Sequence, residues 1–137
     1  MKGIKTLLIA LGIVLSLNVN VKAAEFDTPQ KIRCTVYTST EGSITASGDE
    51  VREGIVAGKK EWMHSVAVLY DLDMNLIGYF EFKDTGAGID TDGDGKGDSI
   101  KNGKSVDVYR NTLDRCYEWV GMYGDYVYMQ IIEGAAG

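Results

Sequence analysis

The sequence predicts an all-β domain with one or two helices, its strands closed as a six-stranded barrel. Two observations carry this: six short runs rich in β-branched and aromatic residues dominate the chain, and just one stretch of helical period is long enough to serve as a crossover. A doubly wound sheet needs a helix at most of its crossovers, so a small barrel is the better fit.

Met1 to Ala23 is expected to lie outside the fold. Lys2 and Lys5 form a positive start, Thr6 to Leu17 is apolar, and Val21 and Ala23 are the small residues a signal peptidase selects, so residues 1–23 read as a signal peptide. The apolar run, interrupted by Asn18 and Asn20, is too short for a bilayer span, which predicts a secreted or cell-envelope protein with no membrane anchor after cleavage. The remaining 114 of the 137 residues suit one domain, residues 31–137, behind a short leader, residues 24–30. The 14 basic and 20 acidic residues give a formal charge of −6, which becomes −9 without Lys2, Lys5 and Lys22; that balance disfavours nucleic acid as a partner.

Along the domain, Lys31 to Thr38 alternates as a first strand. Thr45-Ala46-Ser47-Gly48 is a turn of small residues, and Val51 to Ala57 is a second strand bent at Gly54. Lys59 to His64 has room for one helical turn. Ser65 to Tyr70 is a buried strand, and Asp71 to Asn75 supplies the turn of a hairpin whose return strand is Leu76 to Lys83. A glycine- and aspartate-rich connection leads to the fifth strand, Ser105 to Tyr109. Asn111 is the expected N-cap of a helix whose apolar face is Leu113, Cys116, Tyr117 and Val120, ending near Gly121 to Gly124; Asp125 to Ile132 is the sixth strand.

Asp84 and Asp107 stand at or near strand positions where an unpaired carboxylate is costly to bury, which marks them as candidate catalytic groups. Equally, an aspartate at a strand end often accepts the N–H groups of a turn. Cys34 and Cys116 fit either one disulfide across a long loop or two separate buried thiols. Trp62, Trp119, Tyr123, Tyr126 and Tyr128 read mainly as packing residues. Tyr37 and Tyr109, near the aspartate strands, are better candidates to line a groove.

Thr45-Ala46-Ser47-Gly48 with Gly54-Ile55-Val56-Ala57, then Lys83-Asp84-Thr85-Gly86-Ala87-Gly88-Ile89, then Val106-Asp107-Val108-Tyr109, resemble in order and spacing the three-aspartate (3D) domain of bacterial cell-wall proteins. The resemblance covers about Lys31 to Gly134. It implies a double-psi β-barrel, shared with the catalytic domain of membrane-bound lytic transglycosylase A and with expansins. It also implies action on peptidoglycan by lytic-transglycosylase-like cleavage between N-acetylmuramic acid and N-acetylglucosamine, with Asp107 as general acid and Asp84 beside it. Thr45, Ser47, Thr85, Gly86, Tyr37 and Tyr109 are the expected substrate-binding residues, and a monomer is expected. Where the family's earliest aspartate would follow Ala57, this chain has Gly58-Lys59-Lys60. That departure keeps two alternatives open: a non-catalytic glycan-binding or expansin-like wall-loosening module, and a structural barrel that has lost its site.

A second constellation is independent of the first. Asp90, Asp92, Asp94, Lys96 (through its carbonyl) and Asp98 occupy loop positions 1, 3, 5, 7 and 9 of a calcium loop, with Gly95 at position 6. The closing glutamate is replaced by Lys101 and no helices flank the loop, so the expected cofactor is a weakly held Ca2+ in residues 90–98.

Overall fold

In the computed structural model, residues 25–134 are described; the signal-peptide expectation lies outside them. Six strands, β1 (Gln30–Tyr37), β2 (Ile55–Ala57), β3 (Val66–Tyr70), β4 (Leu76–Asp84), β5 (Ser105–Tyr109) and β6 (Tyr126–Ile132), close into a barrel in the order β1-β5-β2-β4-β3-β6. The sheet is mixed: β1 with β5 and β2 with β4 run parallel, and the other four pairings are antiparallel. One helix, α1 (Leu113–Tyr123), bridges β5 and β6 and packs against β1.

Alternation fills the barrel. Ile32 and Cys34, Val56, Ala67 and Leu69, Phe80 and Phe82, Val106 and Val108, and Val127, Met129 and Ile131 point inward and form one core. The residues between them face outward, and on β5 the outward positions are Ser105, Asp107 and Tyr109. Asp71 holds the β3–β4 hairpin turn, its Oδ1 accepting the N–H groups of Asp73 and Asn75, both at 2.9 Å.

Four expectations are corrected. The leader is not separate from the fold: Phe26 belongs to the core, buried edge-on to Trp62, and its carbonyl accepts the N–H of Ile131 at 3.0 Å. The second strand is only Ile55–Ala57, since Gly54 takes φ +99°, which breaks the extended run. Thr112 rather than Asn111 caps α1, its hydroxyl accepting the N–H of Arg115, while the Asn111 N–H goes to Glu53. Finally, α1 buries Cys116 and Trp119, with Tyr123 partly covered, and leaves Leu113, Tyr117 and Val120 in solvent. Trp119 decides that rotation: its ring packs edge-on to Phe80 and Tyr123, lies under the Arg110 guanidinium, and buries more area than Leu113 or Val120 can.

Glu53 ties the start of α1 to the end of β5, accepting two hydrogen bonds from Arg115 and facing Arg110 at 3.3 Å. Arg115 foremost draws its carboxyl down to about 2. Cys34 and Cys116 are both free buried thiols, the second of the two arrangements open from sequence. Burial pushes the Cys34 thiol up to about 12, so it is an inert core side chain.

Candidate active site

The shortest strand organises the site. β2 lies between β5 and β4, and Ala57 is the register partner of both Asp107 and Asp84. Regular alternation would not allow this, because Val56 is opposite Phe82 and the next partner should be Lys83. A β-bulge skips Lys83, so that Ala57 meets Asp84 and the Asp84 carboxylate turns onto the outer face that carries Asp107.

Their surroundings differ. Asp84 is fixed by donors: Oδ1 accepts the N–H groups of Ala46 and Thr85, both at 3.0 Å, and Oδ2 accepts the Tyr37 hydroxyl at 2.9 Å. Among the described residues, Asp107 accepts one side-chain hydrogen bond, from Thr35 at 2.8 Å, across the parallel β1–β5 ladder. Burial pushes its carboxyl up to about 6; the Thr35 hydroxyl pulls the other way, and the Asp84 charge adds to the rise. Burial, and then Asp84, likewise hold the Tyr37 phenol well above its usual range.

Of the other residues singled out by sequence, Tyr37 and Tyr109 meet edge-on with ring centroids 5.3 Å apart; Tyr109 is buried, and Tyr37 is the one that reaches Asp84. The Thr45 and Ser47 hydroxyls lie 3.0 Å apart, and Ser47 also donates to Asp49, bracing the turn whose Ala46 N–H holds Asp84. Thr85 and Gly86 line a cleft of about 500 Å³ together with Lys59, Lys60, Lys101 and Asn102. Thr35, Ala46 and Ala57 went unnoticed in the sequence, since their roles depend on strand register and on one turn N–H.

The loop after Asp84 forms a separate group. Asp90, Asp92 and Asp98 each turn a carboxylate oxygen to within 4.8 Å of the others, a cluster that could hold a metal ion. Asp90 accepts the N–H groups of Asp92, Gly93 and Gly95, and Asp98 accepts the N–H and hydroxyl of Thr91. Asp98 Oδ2 is buried with no hydrogen-bond partner. The Gly95 N–H foremost holds the Asp90 carboxyl below the usual range, as the Thr91 hydroxyl does for Asp98. Asp92 lies above that range, the N–H it accepts from Asp94 being outweighed by desolvation and by Asp90, Asp94 and Asp98. Asp94 is not one of the three: its carboxylate accepts the N–H of Lys96. At the neck, a Cβ on Gly97 would collide with the Gly88 carbonyl oxygen, and Ser99 Oγ accepts the Ile89 N–H at 2.8 Å, so the two limbs are closely joined.

Neither a protein-family model nor a curated protein matches this chain.

Proposed function

We propose that the chain is an exported cell-wall protein whose barrel is of the double-psi, three-aspartate type and cleaves peptidoglycan glycan strands as a lytic transglycosylase does. The observation that carries this reading is Asp107: a carboxyl on a strand's outer face, half-buried near Asp84 and pushed up to about 6. The two parallel strand pairs within a closed ring of six support the fold half of the proposal.

The chemistry needs one group that gives a proton and takes one back. With a pKa near 6, about one Asp107 in ten is protonated at pH 7, against roughly one in a thousand for an ordinary aspartate. Asp107 protonates the departing glycosidic oxygen and then accepts the proton of the muramyl 6-hydroxyl as that oxygen closes onto the anomeric carbon. No water attacks, so the paired-carboxylate spacing of ordinary glycosidases is not required. Asp84, with both oxygens engaged by donors, serves as the fixed negative neighbour that raises Asp107 and faces the positive charge developing on the sugar.

One observation favours a second reading, a non-catalytic glycan-binding or wall-loosening module: Gly58-Lys59-Lys60 stands where the family carries its first aspartate. Product analysis separates the two. Purified sacculi incubated with the mature protein should release fragments ending in 1,6-anhydromuramic acid; binding without such ends establishes the second reading.

For the 90–98 loop we propose Ca2+ as the ion held by Asp90, Asp92 and Asp98. The uncompensated buried Oδ2 of Asp98 and the proximity of three carboxylates both favour a hard cation.

A further inference from the structure

We infer that the lysine-lined cleft beside Asp84 is a subsite for the carboxylates of an acidic peptide carried on the glycan, an inference that rests on the glycan reading above. Lys59, Lys60 and Lys101 line one cleft of about 500 Å³, within the size range of ligand sites. Among the described residues none of these three lysines has an ion-pair partner, and Glu61 is the single carboxylate on the wall. In a chain of net charge −6, three lysines and one glutamate along one concavity make a local charge balance opposite to that of the whole, suited to an anion.

The cleft adjoins the aspartate pair through the backbone. The Gly58 N–H donates to the Asp84 carbonyl at 3.1 Å, and Thr85 and Gly86, the residues after Asp84, form the facing wall. Its floor is fixed. Gly58 lies so close to Phe82 and Trp62 that a side chain there would collide with Phe82, and the 3-10 turn Lys60–Trp62 is anchored by Trp62, which is 1% exposed. The Lys59 stem passes Gly103, where a Cβ would stand 3.2 Å from it. The base of the lysine wall is therefore placed before a ligand arrives.

Ammonium groups bind any oxyanion, so the ligand follows from position. An anion seated here is held next to the sugar at Asp84 and Asp107, which suits a peptide branching from that sugar and bearing free carboxylates. Residues that replace an expected aspartate thus bind the negative part of the substrate in place of supplying negative charge themselves.

The test uses the full mature chain carrying Asp107→Asn, so that binding is read without cleavage, with co-sedimentation against intact sacculi and against sacculi stripped of their peptides by an amidase. Stripping should weaken binding about tenfold, as should Lys59→Gln, Lys60→Gln and Lys101→Gln combined, with about twofold per lysine. The two losses should not add, and high salt should produce the same loss. Equal binding to intact and stripped glycan overturns the inference and leaves the glycan reading standing. No binding to either polymer overturns both. Displacement by a polyphosphate with indifference to peptide removal assigns the cleft to a phosphate-bearing partner and also overturns it. The comparison of the two glycans needs no lysine variant, so the result holds even if the triple variant folds poorly.

Discussion

Asp107 and Asp90 of the 90–98 loop are the same side chain under opposite conditions. Asp107 is desolvated on a barrel strand, accepts one hydroxyl and is pushed up to about 6. Asp90 is exposed, accepts three backbone N–H groups and is held below the usual range. An aspartate that few donors stabilise keeps a proton to give. One surrounded by turn N–H groups stays ionised and suits a cation. The difference lies in position along the chain: the middle of a strand withholds backbone donors from the side chain because the ladder uses them, whereas a glycine-rich turn offers them freely.

The strongest way to break the comparison is Asp107→Asn, which keeps the shape and cannot deliver a proton. Release of soluble fragments from sacculi should fall about 10²- to 10⁴-fold. Wild-type turnover should fall as pH rises through about 6. Undiminished turnover in the variant would take Asp107 out of the mechanism.

Next in size is the cost of holding that carboxyl in place. Because the folded pKa is raised from the model-compound 3.8 to about 6, protonation favours the folded state below about pH 4, and that contribution is lost as pH rises through 6. The shift corresponds to about 3 kcal/mol. Asp107→Asn should therefore be more stable than wild type at pH 7 by up to that amount and nearly equal to it at pH 4, measured by urea unfolding. A stability difference that does not change with pH would mean that Asp107 is not desolvated in solution.

The loop should show the opposite dependence, gaining from an ion. Calcium should raise Tm, with up to about 2.7 kcal/mol at a hundredfold excess over a Kd of about 10⁻⁴ to 10⁻³ M, and magnesium should do little. Identical melting in calcium, magnesium and chelator would reduce the loop to a solvated turn. The smallest effect sharpens the assignment within the loop: Asp90→Asn should abolish the calcium shift, whereas Asp94→Asn, outside the three-carboxylate cluster, should retain most of it.

The alternating strands were legible because each reads locally: Ser105–Tyr109 is β5 as expected, and β1, β3, β4 and β6 differ from expectation by about a residue at an end. The helix was legible in extent and not in facing. Leu113, Cys116, Tyr117 and Val120 make a good apolar stripe by spacing, yet Trp119 outweighs them once Phe80 and Tyr123 are its neighbours. Asp84 stood out by composition, but its facing depends on a bulge at Lys83 that no local pattern announces. Thr35 could not be found at all, since only the parallel pairing of β1 with β5 brings it to Asp107.

That pairing has a kinetic consequence. Thr35 and Asp107 are 72 residues apart, and β1 is held between β5 and β6, so closing the ring joins the first strand to the last two. Such distant contacts require a large loop to close before any of them stabilises the chain, which makes this a slow step in folding. The environment that raises Asp107 is absent until β1 and β5 meet. A refolding chain followed by pH-jump titration should therefore acquire its carboxyl of pKa about 6 together with ring closure, after the local β3–β4 hairpin has formed.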